Sequence, residues 1–220
     1  MIFKKHPNVV FARSKIKDGN MSFVLGDPMD ALSNRNKFLS SLKINPKSTV
    51  SLKQIHSKKV LIVNKHFGGV GAFPNKDIVE ADAMITNEPN LFLIIKAADC
   101  LQIALFDPKN IAIGLIHAGR KGLSLGIIKK AIRLMNKNYQ TKPSDLLVQL
   151  GPSIGPCHYP IDIWADAENQ LIGCGLLKKN IENIKICTYE SADYFSHRKA
   201  VDQAIADFRF ATILGLNHAN

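Results

Sequence analysis

The stretch AADCLQIALFDPKNIAIGLIHAG, residues 97–119, decides the fold of this chain. Two apolar runs flank DPKN, where Asp107 and Asn110 can close a turn and Pro108 takes the second turn position, which its fixed φ suits. The pattern predicts a β-hairpin. With the turn on DPKN, Phe106 faces Ile111, Ala104 faces Ile113, Gln102 faces Leu115, and Cys100 faces His117. Directly opposed residues share a face, with Cβ atoms about 4.5–5.5 Å apart. That spacing lets a thiolate and an imidazole share one ion, given Zn–S of about 2.3 Å and Zn–N of about 2.0 Å. The pair reads in two ways: half of a metal site, or a buried free cysteine beside a histidine closing the strand. Ala118 and Gly119 let a ligand approach the backbone, and a helix predicted from residue 120 presents N–H groups suited to an anion. A third ligand would be required. His56 in LKQIHSKKV is the best placed, but spacing alone leaves the choice open among His6, His56, His66, His158, His197 and His218.

Outward from the hairpin, MDALSNRNKFLSSL (29–42) reads as an amphipathic helix and TVSLKQIHSKKVLIV (49–63) as two short strands or one bent one. A glycine-rich loop, HFGGVGAFPNKD (66–77), precedes two β-rich runs, MIT and LFLII, separated by the turn signal NEPN. In residues 120–139, Leu123, Ile127, Ile128, Ala131, Ile132 and Met135 recur at helical spacing and predict one helix. DLLVQL (145–150) is a buried strand entering GPSIGPCHYPI, a loop that is either a rigid turn or a pocket wall. Residues 163–180 and 199–208 read as helices with a strand, KICTYE, between them. No repeat or linker divides residues 1–220, so a single α+β domain is expected.

The 220 residues are 46% hydrophobic and 21% charged, enough for a sizeable core. No apolar run reaches the ~18 residues of a membrane span, and MIFKKHPNVVFAR lacks the apolar core of a signal peptide. Cys100, Cys157, Cys174 and Cys187 match neither a C-x-x-C pair nor a disulfide scaffold, so reduced thiols and a cytoplasmic location are expected. The net charge of +11 comes from lysines scattered in ones and twos, which describes a solvated surface and not a nucleic-acid face.

QIHS (54–57), EADAMIT (80–86), ADC (98–100), HAGRKG (117–122) and GPSIGPCHY (151–159) together resemble the laccase-domain family in order and spacing. That family was first named for multicopper polyphenol oxidases and later described as purine nucleoside phosphorylases. FARSKIKDG (11–19), SNRNKFL (33–39) and FSHRKA (195–200) are weaker matches to its arginine-bearing segments. The resemblance implies metal ligands at His56, Cys100 and His117, with zinc as the ion and copper as the alternative. It implies a layered α/β/β/α sandwich with mixed sheets, and a cytoplasmic enzyme acting on purine nucleosides and phosphate. The implied chemistry is phosphorolysis of adenosine, inosine, guanosine and S-methyl-5'-thioadenosine, with adenosine deamination alongside. Two histidines and a cysteine leave zinc an open position, and zinc can lower the pKa of water to about 7, which suits attack on an adenine carbon. Arg13 and Arg198 match family arginines, and with Lys121 they are the expected phosphate-binding groups. Asp99 is either a proton carrier or a structural carboxylate bonding nearby N–H groups.

The chain departs from the family pattern at Ala97, Arg120, Lys121, Ser153 and His158, where the family has Thr, Trp, Arg, Cys and Cys. Lys121 in particular lacks the planar two-pronged grip of arginine. These departures also keep a non-enzymatic, zinc-stabilised binding protein among the readings. A multicopper oxidase needs several histidine-dense clusters, which seven scattered histidines cannot build.

Overall fold

The structure is a computed structural model that describes residues 2–74 and 79–217. Its strands are β1 (Val9–Arg13), β2 (Thr49–Ser51), β3 (Val60–Ile62), β4 (Ala83–Thr86), β5 (Phe92–Ala97), β6 (Leu101–Asp107), β7 (Ala112–Ala118), β8 (Leu147–Leu150), β9 (Ile181–Asn183) and β10 (Phe210–Leu216). Its helices are α1 (Pro28–Ser41), α2 (Arg120–Ser124), α3 (Ile127–Tyr139), α4 (Ile163–Gly173) and α5 (His197–Gln203). The strands form two mixed sheets, ordered β1-β10-β5-β2 and β3-β4-β7-β6-β8-β9. The chain is α+β.

Period-2 alternation along the strands builds three apolar layers. On β5, Leu93 and Ile95 point between the sheets, while Phe92 and Ile94 point out against Leu39 of α1. On β6, Ala104 and Phe106 face the four-stranded sheet, whereas Leu101, Ile103 and Leu105 meet Ile128, Ala131, Ile132 and Met135 of α3 and Ala167 and Leu171 of α4. Helix, sheet, sheet and helix therefore stack in the expected α/β/β/α order. No helix among the described residues is long and apolar enough to cross a membrane.

The central hairpin forms, but in another register. Its loop is Pro108–Ile111, with Ile111 at φ +48°, and the pairs are Phe106↔Ile113, Ala104↔Leu115 and Gln102↔His117. Asp107 caps the loop by accepting from Lys109 N at 2.9 Å and from Asn110 Nδ2 at 2.8 Å, which draws two further residues into the turn. Cys100 therefore precedes β6 and does not stand opposite His117.

The helix predicted over 120–139 divides at Gly126, whose φ of +77° lies in the left-handed region that ends helices. The segment 49–63 supplies two strands, one to each sheet. Helix 163–180 ends at Gly173, and a short strand, β9, follows; KICTYE contributes an isolated bridge, Ser153↔Cys187, and no strand. The helix expected at 199–208 runs earlier, His197–Gln203, because Ser196 caps it by accepting from Lys199 N. Residues 75–77 of the glycine-rich loop, and His218, lie outside the described residues.

Candidate metal centre

His56, Cys100 and His117 converge, with all three ligand atoms within 4.8 Å of one another. Cys100 Sγ lies 3.7 Å from His56 Nε2. A tetrahedral ion with Zn–S of about 2.3 Å and Zn–N of about 2.0 Å separates a sulfur and a nitrogen by about 3.5 Å. The donor set and its spacing fit zinc. Gly119 completes the cradle, because a Cβ there would stand 2.8 Å from Cys100 Sγ and 3.2 Å from His56 Cδ2.

Asp82 holds this arrangement. Pairing of β4 with β7 sets Ala83 against Ile116, and the next step outward brings Asp82 beside His117. The buried carboxylate accepts from His117 Nδ1 at 2.9 Å, which leaves Nε2 as the nitrogen free for an ion. It also accepts from His56 N at 2.9 Å, Ser57 N at 2.6 Å and Ser57 Oγ at 2.7 Å. These bonds fix the turn in which His56 adopts φ +57°. Gln54 anchors the same loop to β5, donating to Lys96 O at 2.6 Å and accepting from Lys96 N at 2.9 Å.

The charges agree with a ligand set. Burial pushes the Cys100 thiol up, but His117 and His56 outweigh it and hold the thiol at about 6. Burial pushes His117 down, while Cys100 and Asp82 raise it to about 9. A thiolate beside an imidazolium is the pair that a divalent ion converts to ligands by displacing the ring proton.

The trio opens on a cavity of about 540 Å³, a size that suits small-molecule ligands. Arg35, Lys53, Lys96, Arg120, Arg198 and Arg209 line it, and Asp99 is the one acid among its described lining residues. Arg35 donates to Met21 O and Gly71 O and lies 3.7 Å over the Phe23 ring. Burial, with Arg35 adding to it, pushes the Lys96 amine well below its usual range. Lys96 Nζ donates to Ser51 Oγ at 2.8 Å and Leu52 O at 2.9 Å, with no carboxylate partner among the described residues.

Of the expected substrate groups, Arg198 lines the cavity, whereas Arg13 and Lys121 are not among its lining residues. The Arg13 guanidinium is stacked 4.5 Å from the Phe11 ring and bonded to Gln149 Oε1. Asp99, at φ +81°, accepts from Thr188 Oγ1 at 2.6 Å and from Arg198 N at 2.7 Å. Asp82, Arg35 and Lys96 were not anticipated as site residues, although EADAMIT and SNRNKFL carry the first two.

The chain matches the family described as multi-copper polyphenol oxidoreductase laccase over residues 8–162 and 158–216. It is 30% identical over 208 residues to a Corynebacterium glutamicum protein named a purine nucleoside phosphorylase, covering 81% of this chain and 82% of that one. It is 27% identical to a Streptomyces coelicolor protein of the same name, covering 82% of each. The crystal structure of YlmD from Geobacillus stearothermophilus superimposes with a TM-score of 0.91 at 25% identity, covering 98% of this chain and 94% of that one.

Proposed function

The chain belongs to the multi-copper polyphenol oxidoreductase laccase family, and we propose that it is a zinc-dependent purine nucleoside phosphorylase with adenosine deaminase activity. The observation that carries this reading is the juxtaposition of the His56–Cys100–His117 trio with a cavity rich in cations. Relatives named purine nucleoside phosphorylase support the same class of reaction.

The trio would hold zinc, and three protein ligands are the number found in catalytic sites with one position left open. There the ion supplies Lewis acidity. The rest falls to the chain's own side chains. Phosphorolysis needs a phosphate dianion held near the anomeric carbon of the ribose, and Arg198, Arg35 and Lys96 are the cavity cations proposed to hold it. Lys96, depressed by burial and paired with no acid among the described residues, gains the most from an arriving anion. Lys121 and Arg13, expected from the resemblance, would act from outside the cavity lining: Lys121 at the start of α2, Arg13 by filling the layer between the sheets. Asp99 is proposed to carry a proton through its remaining lone pairs while its two hydrogen bonds tie the Cys100 turn to Thr188 and to α5.

The test is base release from adenosine and inosine by zinc-loaded protein, with and without phosphate, beside Cys100→Ala. Phosphate-dependent release that the variant loses is the expected result. A zinc-loaded parent that releases no base under either condition overturns the reading. Phenol oxidation proportional to bound copper would instead favour the oxidase reading.

A further inference from the structure

A second cluster of soft donors lies on the glycine-proline loop. Cys157 and His158 follow Pro156 in the tight turn closed by His158 N donating to Gly155 O at 3.0 Å. Cys187 reaches them from the segment that bridges to Ser153. The ligand atoms of Cys157, His158 and Cys187 all lie within 4.8 Å of one another. We propose that Cys157, His158 and Cys187 form a second metal site, selective for a thiophilic ion such as zinc.

Distances carry the proposal first. Cys187 Sγ stands 3.9 Å from His158 Nδ1, against about 3.5 Å for the sulfur–nitrogen edge of a tetrahedral zinc site. An adjustment of a few tenths of an ångström closes this edge. The donors are also held ready. The His158 ring stacks on Tyr189 at 3.9 Å and 15°, which fixes the plane of the imidazole. Gly155 N donates to Cys187 Sγ at 3.3 Å, which holds the sulfur in place beside the loop.

Accessibility is graded in the direction an ion would travel. Cys157 is exposed, His158 is half-buried and Cys187 is buried. Glu190 Oε1, 3.9 Å from His158 Nδ1, offers a fourth donor at the mouth. Two thiolates and an imidazole select zinc or copper(I) over magnesium or calcium, which prefer oxygen. His158 stands where the family resemblance has a second cysteine, so the ligand set belongs to this chain. Ser153, standing where the family has another cysteine, is occupied otherwise: its Oγ accepts from Trp164 Nε1 at 2.6 Å.

The site would staple the cavity wall. Ile154 N donates to Asp99 O at 2.9 Å, and Thr188 Oγ1 donates to the Asp99 carboxylate at 2.6 Å. Ile154 and Tyr159 both line the cavity. Both halves of the cluster are thus joined to the residue that precedes Cys100.

The experiment is cobalt(II) titration of the reduced, metal-stripped full chain, read by sulfur-to-cobalt charge-transfer absorption and by elemental stoichiometry. The parent is compared with Cys157→Ser and with Cys100→Ala. Cys157 is exposed, so its replacement leaves the core untouched. The expected result is loss of one cobalt equivalent, with its absorption, in Cys157→Ser, and retention of that equivalent in Cys100→Ala. This outcome is independent of whether the first site binds metal or the protein releases base. Stoichiometry and absorption unchanged in Cys157→Ser overturn the proposal. So does reduced parent whose only cobalt disappears in Cys100→Ala, including when unreduced protein carries a Cys157–Cys187 disulfide by mass.

Discussion

Gly119→Ala separates the candidate metal centre from the fold that carries it. The glycine has φ −78° and ψ 171°, a conformation alanine adopts without strain. Its added methyl group would nevertheless stand 2.8 Å from Cys100 Sγ and 3.2 Å from His56 Cδ2. Ordinary non-bonded contact begins at about 3.5 Å, so the sulfur must retreat by roughly 0.7 Å or the α2 entrance must move. Metal–ligand distances tolerate only about 0.2 Å. The retreat therefore strains or breaks the sulfur–metal bond. The expected loss is about 100-fold in zinc affinity, or about 2.7 kcal/mol. The metal-free variant should unfold at the parent's denaturant midpoint, since no buried group is removed and no cavity opened. Competition against a chromophoric chelator reads the first quantity, and urea unfolding of the metal-free protein reads the second. A variant that binds zinc within about 3-fold of the parent would refute the placement of Gly119 against the ligands. A variant that loses both binding and stability would show that the methyl group disrupts the fold and not the site.

Asp82→Asn should weaken zinc binding by about 10- to 100-fold, the usual effect of removing the partner that orients a histidine ligand. It should also cost about 1–3 kcal/mol of metal-free stability, because an amide cannot accept from His56 N, Ser57 N, Ser57 Oγ and His117 together; unchanged chelator competition would sink this. Asp107 carries a different signature. Burial raises its pKa, but Thr141 and the turn donors Asn110 and Lys109 outweigh that and leave it below the usual carboxylate value. The stability it contributes is therefore present above the unfolded pKa of about 4 and lost as pH falls through the lower folded value. Urea unfolding of parent and Asp107→Asn should show a gap at neutral pH that narrows on acidification; a gap independent of pH would contradict the account. Gly126→Ala should cost about 1 kcal/mol with base release unchanged, since its Cβ would meet nothing within 4 Å and only its φ of +77° objects. Stabilisation by this change would mean that α2 and α3 prefer to merge.

Apolar runs with clear alternation or helical spacing were legible: the 97–119 hairpin, α1, the strand in DLLVQL and the buried stripe of α3. β1 and β10 were not anticipated. VVFAR is a short strand whose residues are all only half-buried, and FATILGL, buried along its whole length, shows no alternation to read. Their antiparallel pairing builds half of the smaller sheet. The hairpin register shifted because the Asp107 hydrogen bonds lengthen the loop. The shift moved each partner by an even number, from Leu115 to His117 opposite Gln102. An even shift keeps every side chain on its own face. The inferred nearness of Cys100 and His117 therefore survived an incorrect pairing.

Periodicity could not reveal which sheet each strand enters, and the candidate site depends on that. His56 lies between β2 of the smaller sheet and β3 of the larger; Cys100 lies between β5 of the smaller and β6 of the larger. Two of the three candidate ligands thus sit where the chain crosses from one sheet to the other, and His117 stands one residue from the end of β7. A crossing requires abrupt backbone turns, and both carry residues in the left-handed region, His56 at φ +57° and Asp99 at φ +81°. Such conformations persist in residues other than glycine when surrounding bonds over-determine them. Asp82 does this for the first crossing, and Thr188 with Arg198 N does it for the second. Asp82 and Asp99 therefore hold the two turns, and with them the ligands, before any ion arrives. Substitutions at these aspartates should consequently disturb metal affinity and the stability of the metal-free chain together, whereas substitution of the ligand Cys100 should remove the first alone.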